Sequence, residues 1–144
     1  MVFTAQKQAS PEINSAHLSE WGNSGIPDAL TRLNLKSISN QDAIANLLNW
    51  KKYTGTPGWY VQGVDPLTGE SRNFGQFKPD VSIKFPDKDK SQKYFSFPKG
   101  TDSEAIYTRV TREIWQRVSE RYGGPMPENI VTYDVVSDLK TLLN

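Results

Sequence analysis

The sequence predicts an α+β domain with short N-terminal helices, a central antiparallel sheet of about four strands, and C-terminal helices. Three observations predict it. Residues 10–50 place apolar side chains at helical spacing between capping residues. From Tyr53 the punctuation changes to Gly and Pro with aromatic and β-branched residues between them, which is strand and turn chemistry. After Ile106 the apolar residues return to a helical period.

The elements follow in order. Residues 1–9 are polar and aperiodic, a frayed N-terminus ahead of one domain spanning 10–144. Ser10-Pro11-Glu12 reads as a cap, a first-turn proline and a first-turn acid, so the first helix is expected over Pro11–Trp21, closed by Gly22-Asn23-Ser24-Gly25. Ile26-Pro27-Asp28 opens a second helix with Leu30, Leu33 and Leu35 inward, and Ser39 or Asn40 caps a third with Ile44, Leu47 and Leu48 on one side. Trp59–Val64 alternates as a strand, and Asp65-Pro66-Leu67-Thr68-Gly69 supplies the turn into a partner over Ser71–Phe77. Val81–Phe85 is the cleanest alternation in the chain. Lys93–Phe97 answers it across an exposed charged loop, and helices cover one face of the resulting sheet. Ile106, Val110, Ile114 and Val118 form a helical stripe ended by Gly123-Gly124-Pro125, and Tyr133–Leu143 places Val135, Val136, Leu139, Leu142 and Leu143 on one last apolar face.

Composition bounds the function. A chain of 144 residues with 11% aromatics builds a core without metal or disulfide staples, burying roughly 68% of its unfolded surface. With no Cys there is no disulfide framework, thiolate metal site or cysteine nucleophile. Neither a leader-like segment nor an apolar run near membrane-spanning length is present, so a cytoplasmic protein is expected. The formal charge of +1 conceals an asymmetry: residues 51–100 carry nine basic and five acidic side chains, while both flanks are slightly acidic. Only the middle third favours a polyanion.

Catalytic signals are sparse. His17 is the single histidine and reads as a packed or capping residue on its helix, and Asp87-x-Asp89 alternates with lysines as a solvated charge run. Neither an acid/base pair nor a cofactor is expected from spacing, and catalytic activity in this segment is not expected. What stands out is a set of cations interleaved with rings across the expected sheet: Lys52, Trp59, Arg72, Phe77, Lys78, Lys84, Lys93, Tyr94 and Lys99. Phosphates take the charge and bases stack on rings at roughly 1–3 kcal/mol each, so single-stranded or duplex nucleic acid is one expected partner. The alternative is a protein-interaction or scaffolding domain with no nucleic-acid contact, in which the same rings and the apolar terminal stripe meet another chain.

An ordered set of segments carries a resemblance: His17-Leu18-Ser19-Glu20-Trp21 with Ser24-Gly25-Ile26, then Gly58–Gly69, then Gly75-Gln76-Phe77-Lys78-Pro79-Asp80, then Lys93-Tyr94 with Pro98-Lys99, and finally Ile114–Val118 with Glu120-Arg121-Tyr122. Together they resemble the N-terminal region of a cyanobacterial family of large plasmid and mobile-element proteins that carry a toprim-like, primase-related domain of unknown function. In that family the toprim-like part, with its metal-binding acids, lies downstream of the matching segment. The resemblance therefore implies a DNA-replication-associated accessory domain without the catalytic half, whose partner is a toprim-like domain or another protein. Asp65 and Asp80, each beside a proline, are expected to accept backbone hydrogen bonds.

Overall fold

Asn14 begins the first helix for a local electrostatic reason: its extended backbone leaves its side-chain oxygen free to accept the Ala16 N–H at 2.8 Å. The structure, a computed structural model, describes residues 13–99, 106–123 and 129–133. Helix α1 spans Ser15–Asn23, so the expected start at Pro11 is displaced: Ile13 and Asn14 precede the helix, and the Ser10-Pro11-Glu12 signal lies outside the described residues. Gly25, at φ +88°, turns the chain after α1. Helix α2, Asp28–Asn34, follows Pro27 and carries Asp28 in its first turn.

Leu35 was expected on that helix. Instead its backbone turns extended (ψ 140°) and opens strand β1, Leu35–Ile38, an element absent from the sequence reading. Helix α3, Gln41–Leu48, starts at Asn40, whose side chain accepts the Ala43 N–H at 2.9 Å, and ends at Asn49 in the left-handed conformation. Strands β2, Gly58–Val64, and β3, Ser71–Pro79, form the expected hairpin. In its turn the Asp65 carboxylate accepts the Leu67 N–H at 2.8 Å, and Gly69 takes φ +79°. Strand β4 is Phe95–Phe97.

The sheet is antiparallel throughout, in the order β1-β2-β3-β4. Its count of four matches the expectation, but its membership does not. Val81–Phe85 contributes only an isolated bridge between Ile83 and Gln92. The expected partner segment pairs instead with β3, Gly75 opposite Phe97 and Phe77 opposite Phe95. Ile83 and Phe85 pack against the core from this irregular segment, while Val81 is exposed.

Register assigns the two faces. Ile38, Tyr60, Phe77, Phe95 and Phe97 share one face and meet Ile44, Ala45 and Leu48 of α3 together with Tyr53. On the other face Leu35, Trp59 and Val61 meet Ile13 and Trp21, the two indoles edge to face at 5.3 Å. Helices therefore lie on both faces of the sheet, not one, because each face carries enough apolar area to require a cover. Beyond β4, Asn34 pins residues 106–110, donating to the Arg109 carbonyl at 2.9 Å and accepting its N–H at 2.7 Å. Helix α4, Arg112–Arg121, is capped by Thr111; Ile106 and Val110 precede it, so the expected stripe is helical only in its second half. Gly123 turns the chain at φ +64°, and the expected helix over Tyr133–Leu143 lies outside the described residues beyond Tyr133. Among the described residues no helix is long and apolar enough to cross a membrane.

Candidate functional site

The nine residues read from the sequence divide into three groups. Two are not surface groups: Phe77 is fully buried and Trp59 is 6% exposed, so neither offers a face to a base. Alternation explains both corrections, since Phe77 lies under α3 between Tyr60 and Phe95, and Trp59 meets Trp21 of α1 on the opposite face. Three are engaged with the protein: the Lys78 ammonium pairs with Glu20 at 2.9 Å, the Arg72 guanidinium stands 5.0 Å over the Phe74 ring, and Lys84 Nζ donates to the carbonyls of Phe85 and Lys88. The remaining four, Lys52, Lys93, Tyr94 and Lys99, are exposed. Tyr94 is 46% exposed, with its ring 6.4 Å from that of Trp59.

One backbone bond gathers cations away from the middle of the sheet. The Lys99 N–H donates to the Leu48 carbonyl at 2.9 Å, which fixes the chain leaving β4 to the last turn of α3. Lys51 and Lys52 leave that same turn. Preceding them is the partly buried Trp50, whose ring meets Phe95 at 5.4 Å and Phe85 at 6.4 Å. The end of α3 thus presents three exposed lysines beside a partly accessible indole. The negative end of the helix dipole favours the cations there.

A second constellation joins α1 to the sheet. His17, 4% exposed, bonds through Nε2 to Asp80 Oδ1 at 2.6 Å and through Nδ1 to Ser37 Oγ at 2.8 Å. Asp80 as acceptor places a proton on Nε2; in the neutral ring Nδ1 then accepts from the Ser37 hydroxyl, and Ser37 Oγ accepts the Asn14 N–H at 2.8 Å. Every donor in this chain finds an acceptor. Helix α1 supplies His17, β1 supplies Ser37, and Asp80 stands at the end of β3, its own N–H tied to the Pro57 carbonyl at 2.8 Å. One turn along α1, Glu20 holds Lys78.

The segments 17–21 and 77–80 are therefore clasped by His17–Asp80 and Glu20–Lys78, with Trp21 set on Trp59, the cross-strand neighbour of Lys78. His17 is packed, as the sequence suggests. Asp80 accepts an imidazole rather than the expected backbone N–H, and an acid/base pair does come together although spacing offered none. These partners are 63 residues apart in sequence, and no local pattern links them. Trp59 Nε1 is a buried donor without an acceptor among the described residues. Those residues also contain no group of three or more His, Cys, Asp or Glu side chains placed to hold a metal ion. Burial raises the Tyr53 and Tyr60 hydroxyls above their ordinary value, because the phenolate loses its hydration.

The chain is similar to an uncharacterized protein of Picosynechococcus sp. (strain ATCC 27264 / PCC 7002 / PR-6), 27% identical over 148 residues, which cover 89% of this chain. The match spans 15% of that protein's length. No family model matches the chain. No solved structure matches it either.

Proposed function

We propose that this chain is a nucleic-acid-binding accessory domain of a plasmid- or phage-type, primase-like replication protein. The observation that carries the reading is the Lys99–Leu48 bond, which sets Lys99 beside Lys51 and Lys52 around Trp50. Exposed lysines at one helix end suit a phosphate backbone, and the accessible part of the Trp50 indole suits a base. This moves the expected contact from the centre of the sheet, where α1 and α3 cover both faces, to the end of α3. The cyanobacterial relative, much longer than this chain, supports a role within a larger protein; the downstream toprim-like half belongs to the proposal.

The test is fluorescence anisotropy with a labelled single-stranded oligonucleotide at low and moderate salt. Each phosphate contacted contributes about 0.7 to the slope of log affinity against log salt, so replacing Lys51, Lys52 and Lys99 together by Ala lowers that slope by about 2. Absence of binding to single or double strands at low salt rejects the reading.

A second reading has its own observation. Helix α4 has no buried residue among those described, and a groove of about 670 Å³ runs between it and the start of α2, lined by Pro27, Leu30 and Ile114 among others. A protein-interaction domain would use such a groove. Light scattering over a concentration series tests self-association: a larger species lost on replacing Ile114 by Asp favours this reading, and a monomer throughout disfavours it.

A further inference from the structure

We infer that Ser37 is a nucleophile activated by His17, with Asp80 as the positioning residue, and that the adjoining cavity receives the ester of a small acyl group. This assignment is independent of nucleic-acid binding and rests on three features of one place. The first is the geometry of the hydrogen bonds. Ser37 Oγ stands 2.8 Å from Nδ1 and Asp80 Oδ1 stands 2.6 Å from Nε2; in the neutral imidazole with its proton on Nε2, Nδ1 is the base that faces the serine hydroxyl. The ring is reversed relative to the commonest serine-hydrolase arrangement, yet both nitrogens are competent bases and the order of roles is the same.

The second feature is access. His17 is buried, but Ser37 is partly exposed and borders a cavity of about 640 Å³ lined by Ile13, Ser15, Ile38, Ser39 and Pro57. A histidine held only for packing has no need of a hydroxyl facing such a space. The third is the helix end. Ser37 Oγ lies at the N-terminus of the nine-residue α1, within 2.8 Å of the Asn14 amide, and Ser15 of the first turn lines the cavity. The Ala16 amide is capped by the Asn14 side chain and the Asn14 amide meets Ser37 Oγ, so it is the positive end of the helix dipole that suits the negative oxygen of a tetrahedral intermediate.

The chemistry balances with water as the only co-reactant. Ser37 Oγ forms a bond to the ester carbonyl carbon while its proton passes to Nδ1. The tetrahedral intermediate then expels the alkoxide, which takes that proton and leaves as alcohol. Water attacks the acyl-serine, again giving a proton to Nδ1. The acid departs, and the proton returns to Ser37. Asp80 stabilises the imidazolium in both halves without itself gaining a proton. Glu20, on the same helix as His17, is paired with Lys78 of β3.

The experiment incubates the folded chain with a fluorophosphonate probe and locates the adduct by intact mass and peptide mapping. The expected result is one adduct on Ser37, absent in Ser37→Ala and slowed about 100-fold or more in His17→Gln, the usual scale of general-base assistance. Circular dichroism establishes that each variant is folded. Asp80→Asn, which keeps size and shape, also slows labelling, and Asp80→Glu restores part of the rate; a purely structural role leaves the labelling rate of the folded variants unchanged. The proposal is overturned by a folded wild-type chain that gives no adduct on Ser37, by an adduct on another residue alone, or by equal labelling rates in wild type and His17→Gln.

Discussion

A double-mutant cycle on His17 and Asp80 measures how strongly the clasp holds α1 against the sheet. Hydrogen bonds to charged groups contribute about 1.5–3 kcal/mol each. The His17 side chain is 5% exposed but that of Asp80 is 43% exposed, so water screens one end of the bond and the lower limit applies, about 1.5 kcal/mol of coupling. For a chain of 144 residues, 1 kcal/mol corresponds to about 2–4 °C in Tm, giving a coupling of about 3–6 °C. His17→Ala alone costs more than the coupling, since it also strands the Ser37 hydroxyl and empties a buried site. The assay is urea unfolding of wild type, His17→Ala, Asp80→Ala and the double variant, followed by tryptophan fluorescence. Single-variant losses that add to within about 0.3 kcal/mol would mean that the imidazole and carboxylate do not stabilise one another, and the account of the clasp would fail.

Other expectations concern the core, a close approach and alkaline pH. Phe77→Ala removes a fully buried ring beneath α3 and lowers stability by about 3–5 kcal/mol in the same unfolding assay. Gly75→Ala places a Cβ 2.1 Å from the Val61 carbonyl oxygen and 2.4 Å from Phe97 Cζ, so β3 must shift; a lower urea midpoint by about 1–3 kcal/mol is expected, and an unchanged one contradicts the packing of β2 and β4 against that glycine. Tyr60 binds its proton more tightly folded than unfolded, so the folded state loses relative stability as pH rises above the ordinary value of 10.0. Unfolding midpoints should fall through that window, and Tyr60→Phe should flatten part of the fall.

Much of the architecture was legible because its signals are local. The cap of α3 at Ser39 or Asn40, the Asp65–Gly69 turn and the aromatic alternation of β2 each involve residues within a few positions of one another, and the structure has each of them, with Asn40 as the cap. The errors arose where local signals compete. Val81–Phe85 alternates better than Leu35–Ile38, yet the latter is the strand, paired along the edge of β2, while the former makes a single bridge. Propensity contains no term for a vacant edge.

The candidate sites divide along the same line. Composition alone marks the middle third as basic and aromatic. Tertiary structure decided which rings sink: a two-residue period says that alternate side chains share a face, but not that helices cover both faces and remove Trp59 and Phe77 from solvent. It also decided that His17, Ser37 and Asp80 meet, because hydrogen bonds between α1, β1 and the end of β3 depend on how the helix docks, and docking is a property of the whole buried surface rather than of any segment's sequence.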